Sequence, residues 1–366
     1  NIFVELINFK TNIKNISKVK SNFTIRNNKI IFDYINFTEK KNSIIINNLI
    51  INSKNEIEKI SKIDVLTFKN KKENNNFNIN FKKKIQIEGE VYDSTYLLTQ
   101  LSGDNKQNFL KNISNDVEIK LKKLITKSQT PLNNFILIGK IEKGKFIKAS
   151  SKSEFTKNKY LDISLKKDPN NKKILEVYSD LPEVLLSSYK FFSGVREGKL
   201  LYRSEIAEKG SVSKLTIEKF KVIEAPTFAT LLTLADLGGY ADLLSGQGMS
   251  FDILEINFSD DVNVTSIEEI LALGSSVSLH MDGYIEKKTG LISLRGTLVP
   301  AKMLNNLVSK IPVVGKILVG KKVGDGIFGV SFKMKGLPGN IKTTVNPIKT
   351  ITPRFITRAL EKIKKK

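Results

Sequence analysis

Three groups of residues have types and spacings that could do chemistry. Gly315-x-x-x-x-Gly320-Lys321-Lys322 differs at one position from the loop that cradles nucleotide phosphates, Gly-x4-Gly-Lys-Ser/Thr. It fails on physical grounds. Lys322 stands where a hydroxyl should ligate magnesium, and a second cation there repels the metal. Pro312 interrupts the place where a buried parallel strand would lead in. His280, beside Asp282, is the one histidine of a chain without cysteine, so it builds neither an ordinary structural zinc site nor a thiol-imidazole pair. The alternation around it puts His280 on a polar strand face, where exposure is expected. The carboxylate pairs Asp260-Asp261 and Glu268-Glu269 are expected beside turns and helix starts, where acids favour the helix dipole. No positioned nucleophile or acid-base pair emerges. These residues offer no active site and no ordinary metal site.

The elements that would carry these residues are mostly strands. Phe328, Val330, Phe332 and Met334 alternate with Gly329, Ser331, Lys333 and Lys335, giving one apolar and one polar face. Val277, Leu279 and Met281 alternate with Ser278, His280 and Asp282, with Ile285 in the same apolar register. Lys287-Lys-Thr-Gly290 then turns the chain, so 277–299 is a predicted hairpin. Val117, Ile119 and Leu121, and Phe77, Ile79 and Phe81, alternate in the same way. Strands run into short predicted helices after Val91, Val177, Ile223 and Leu298; Pro182 and Pro226 suit first helical turns. The predicted fold is mainly β with interspersed short helices.

Composition limits the partners. Of the first 80 residues, 19 are Asn, 17 Ile and 13 Lys, all with AT-rich codons, so the formal charge of +23 is a weak signal for nucleic acid. We expect no nucleic-acid partner. No apolar run approaches the roughly 20 residues that span a bilayer. The chain opens at Asn1 without Met or a signal-type leader, and an anchor or leader is expected upstream. Composition shifts towards glycine near residue 190, giving an upstream part, 1–180, and a C-terminal part, 181–366.

Two amphipathic segments follow. Met303, Leu304, Leu307, Val308 and Ile311 share one helical face, and Phe355, Ile356, Ala359, Leu360 and Ile363 repeat that spacing in a terminal helix, 353–364. Residues 341–366 carry eight Lys or Arg and one Glu. An anionic membrane surface would attract such helices, and packing on the sheet would also use their apolar faces. Both readings stay open here.

A series of motifs resembles the C-terminal region of AsmA-like proteins, in the YhdP-type form of alphaproteobacteria. Phe192–Leu201 contains Gly-Val-Arg-Glu-Gly-Lys-Leu, and Leu215–Pro226 follows it. Then come Leu244–Phe251, Gly283–Ala301, Ile311–Leu318, Gly326–Phe332 and Val345–Pro347, in that family's order. The resemblance covers about 175–360; residues 1–175 fit only as a divergent β-rich upstream part. It implies an elongated, curled antiparallel-type sheet forming a hydrophobic groove, with amphipathic helices at its C-terminal end. It implies a non-enzyme that needs no cofactor, a periplasmic location, an inner-membrane anchor upstream of this chain, and conduction of phospholipid towards the outer membrane. The expected partners are phospholipid acyl chains and a membrane surface. The expected groove lining is Leu279, Met281, Ile285, Phe328, Val330, Phe332 and Met334. A closed core built from the same residues would instead make the chain a structural module that tunes outer-membrane assembly through envelope proteins.

Overall fold

A computed structural model describes residues 2–97, 113–128, 130–187, 194–235, 239, 246–300 and 329–348. It is mainly β with few short helices, and the chain divides into two compact units, Asn1–Ile174 and Leu175–Lys366.

The first unit opens with a small hairpin, β1 (Phe3–Val4) and β2 (Phe9–Lys10), joined through a 3-10 turn at Glu5–Ile7. Its sheet runs through β3 (Ser17–Arg26), β4 (Lys29–Glu39), β5 (Asn42–Ile51), the short β6 (Ile57–Lys59), β7 (Lys62–Lys69), β8 (Lys72–Phe81) and β9 (Ile85–Asp93). It continues with β10 (Asn115–Ile125), β11 (Leu132–Glu142), β12 (Lys145–Thr156) and β13 (Lys159–Lys167). Among the described strands, sequence neighbours pair antiparallel, except that β5 pairs with both β6 and β7 and that β9 and β10 pair in parallel.

Asparagine makes the tight turns. Asn27 and Asn28, the two residues between β3 and β4, both have positive φ, as do Asn70 and Lys71 between β7 and β8. Two left-handed residues in a two-residue loop give the turn whose twist matches that of the flanking strands, and Asn tolerates that conformation better than most side chains. At the parallel junction, Glu118 of β10 is held by Lys84, just before β9, and by Lys120 at 2.6 Å.

The second unit begins within β14 (Lys173–Ser179), followed by α1 (Pro182–Leu186), β15 (Val195–Arg196), β16 (Lys199–Ala207), β17 (Gly210–Val222) and α2 (Pro226–Leu234). An antiparallel meander follows: β18 (Met249–Asp260), β19 (Val264–Gly274), β20 (Val277–Glu286), β21 (Ile292–Pro300), β22 (Gly329–Leu337) and β23 (Asn340–Ile348). Pro182 and Pro226 occupy first helical turns, where a missing N–H costs nothing, as the sequence predicts. The predicted hairpin at 277–299 is β20–β21. Leu231 and Leu232 of α2 are buried in the core of this unit, and α2 also touches β23. Among the described residues, no helix is long and apolar enough to cross a membrane.

The two ammonium groups hydrogen-bonded to Glu118 hold its carboxyl down at about 2. A depressed carboxyl pKa favours the folded state above the unfolded value and loses that contribution as pH falls towards the folded one. NMR titration should therefore show Glu118 ionised well below pH 4, and Lys84→Gln together with Lys120→Gln should return its midpoint to the ordinary glutamate range.

Candidate functional site

Strand alternation and register together build one apolar row across the first unit. Eight strands place an isoleucine or leucine on the same face and β12 a serine, and pairing sets these residues opposite one another. Ile35 of β4 faces Ile46, which faces Ile63, then Ile79, Ile87 and Ile119. The row continues through Leu137 and Ser151 to Ile163 of β13. It crosses nine strands, so it is about 38 Å long at the usual strand spacing. Its Ile and Leu side chains are only partly buried. The neighbouring row towards the N-terminal hairpin is closed: Val65 is 5% exposed, Phe77 5% and Leu121 3%. Gly89 belongs to that closed row, because a Cβ there would lie 2.5 Å from the Phe77 Cα.

One end of this face is covered by the N-terminal hairpin, held by buried polar groups. Phe9 packs edge-on against Phe37, with ring centroids 5.9 Å apart. The Asn8 side-chain amide donates to Asp93 at 2.8 Å, and Asn75 donates to the Ile7 carbonyl at 2.6 Å and to Thr67 at 2.8 Å. Asn75 in turn accepts from the Asp93 backbone N–H, while Asp93 accepts from Asn74 and from Thr95. The Tyr92 hydroxyl donates to the Leu6 carbonyl at 2.9 Å, and burial pushes its pKa above the ordinary phenol range, with the Asp93 charge adding. Glu39, 2% exposed, accepts from the Asn12 N–H at 2.9 Å and from Ser17, fixing the approach to β3.

In the second unit the structure brings the expected lining residues together on one face. Leu279 pairs with Leu298 and then Val330; Met281 with Gly296 and then Phe332; Leu294 with Met334. Leu279, Leu298, Met281, Leu294, Phe332 and Met334 belong to one buried cluster, with Phe332 2% and Met334 4% exposed; Val330 is buried at 8%, and Ile285 packs against the cluster partly buried. Gly296 is where the Phe332 ring needs room: a Cβ would sit 2.7 Å from its ring edge. Phe328 lies outside the described residues. So do Met303, Leu304, Leu307, Val308, Ile311, Phe355, Ile356, Leu360 and Ile363, and with them both amphipathic segments and Gly315–Lys322. On the same face three hydroxyls meet: Tyr202 lies 3.2 Å from Ser213, which donates to Ser204 at 2.9 Å, both serines being buried.

The opposite face of this unit corrects two expectations. His280 is not exposed; its side chain retains 12% of its surface and its Nε2 lies 3.2 Å from Glu269. Glu268 and Glu269 are not beside a turn or helix start but in mid-strand, at a bulge of β19 between Ile267 and Ile270. The bulge lets Glu269 accept from Asn257 at 3.3 Å. Glu255, 2% exposed, is paired with Lys214 at 2.9 Å. Asp260 and Asp261 do flank the β18–β19 turn. Asp261 accepts the N–H groups of Val264 and Asn263, which hold its pKa low. Among the described residues, no group of three or more His, Cys, Asp or Glu side chains could hold a metal ion.

The partly exposed row of the first unit was missed in the sequence, although Ile63, Ile79, Ile87 and Ile119 each show the alternation; only the pairing register joins them. No protein-family model, curated protein or solved structure matches the chain.

Two substitutions test these packings by chemical denaturation. Asp93→Ala leaves buried amides without their acceptor and should cost about 1–3 kcal/mol. Phe332→Ala opens a cavity in the second unit and should cost about 3–5 kcal/mol.

Proposed function

We propose that the chain is a non-enzymatic cell-envelope protein that conducts phospholipid between the inner and outer membranes, with acyl chains lying along its apolar sheet face. The observation that carries this reading is the partly exposed row from Ile35 to Ile163. Linear alkyl chains need only an apolar strip, and a row running across the strands offers one without interruption by charge. The resemblance to AsmA-like proteins points the same way, and with it come a periplasmic location and an inner-membrane anchor outside this chain. The contact of α2 with β23 supports a curled sheet in the second unit. β23 lies six strand spacings from β17, about 29 Å on a flat sheet, while a helix of nine residues is about 14 Å long.

A second reading has its own observation. Leu279, Met281, Phe332 and Met334 are buried in a filled cluster. That favours a structural module that tunes outer-membrane assembly through partner proteins, at least for the second unit.

A photoreactive residue at Ile87, with controls at Lys120 on the polar face and at Phe332, separates the two in living cells. The conduit reading expects phospholipid captured at Ile87 and little at Lys120. Capture of protein alone, or of nothing, at Ile87 sinks it in favour of the structural module.

A further inference from the structure

β3 differs from the other long strands of its sheet: all ten of its residues are exposed, as otherwise only in the three-residue β6 among the described strands of that unit. Its apolar side chains continue the apolar face, Val19 opposite Phe37, Phe23 opposite Phe32 and Ile25 opposite Ile30. Val19 is nevertheless 65% exposed, Phe23 50% and Ile25 72%, and on the approach to the strand Ile13 is 81% and Ile16 79% exposed. Single exposed apolar residues are ordinary, but five large ones within 13–25 form a patch that marks a contact surface.

Charge selects the partner. Between Glu5 and Asp33 there is no acidic residue, while Lys10, Lys14, Lys18, Lys20, Arg26 and Lys29 supply six cations. A second copy of this chain, at +23, would meet that segment with like charge. A nucleic acid would satisfy the cations and leave the isoleucines in water. An anionic bilayer satisfies both: its interface accepts apolar side chains, and its surface potential attracts cations within a Debye length of about 8 Å.

We propose that β3, with Ile13 and Ile16, is a docking surface for an anionic lipid bilayer. The apolar side chains enter the interface and the interleaved lysines face the headgroups. Docked in this way, the bilayer meets the apolar face at its most exposed strand. That last step rests on the conduit reading; the docking itself does not.

The test is sedimentation of the purified chain with vesicles of phosphatidylcholine alone or mixed with phosphatidylglycerol. Binding is expected to the mixed vesicles only, weakening with added salt. Lys18→Gln and Lys20→Gln should each reduce it about fivefold. Val19→Asp with Phe23→Asp should remove it while leaving the thermal unfolding transition in place, because both positions are exposed. Equal binding to both vesicle types, binding to neither, or wild-type binding by the β3 variants overturns the proposal. So does a dimer, measured by light scattering, that Phe23→Asp dissolves. A chain that fails to bind vesicles yet captures phospholipid at Ile87 refutes the docking and leaves the conduit standing; vesicle binding without capture does the reverse.

Discussion

The period of two along a strand governs this molecule. Every apolar row depends on each strand presenting its isoleucine, leucine or phenylalanine at the residue that lands opposite the next strand's. A slip of one residue would send the whole set to the other face. The register is pinned by short turns such as Asn27-Asn28 and Asn70-Lys71, whose backbone leaves no slack. It is adjusted by bulges, as between Asn22 and Phe23 or between Ile267 and Ile270. The same alternation sends asparagine and lysine to the other face, so one rule produces both an apolar surface and a solvated one.

The two units use this rule to different ends. In the second, the rows through Leu279, Met281 and Met334 are filled and closed, with α2 seated among them. In the first, the row through Ile63, Ile79 and Ile87 stays partly open, and exposure is greatest at β3. Buried polar groups fix the end of that open face. The Asn8–Asp93 and Asn75–Thr67 contacts satisfy one another, so a hairpin of very short strands can sit on the end of that face without stranding amides in a dry environment.

Strand identity was legible because alternation is local: Phe77–Phe81, Val277–Met281 and Val330–Met334 each declare a strand within a few residues. Pro182 and Pro226 marked helix starts for an equally local reason. Register is not local, which is why the row from Ile35 to Ile163 could not be read, nor the parallel pairing of β9 with β10. His280 was misread because the polar face of a strand need not be the wet one; Glu269, eleven residues away in sequence, faces it only after a bulge. Asparagine richness, read as codon bias, also has a physical use in left-handed turns and in the clamp around Asp93.

Antiparallel neighbours joined by two-residue turns make much of each sheet a series of interchangeable hairpins. Inserting or deleting one hairpin would change the apolar row by about 10 Å and leave every remaining pairing as it was. The parallel β9–β10 step is the exception, since it needs a long connection that no hairpin supplies. The length of the row is thus an evolvable quantity, which a chain of this type could change by copying or losing its own simplest part.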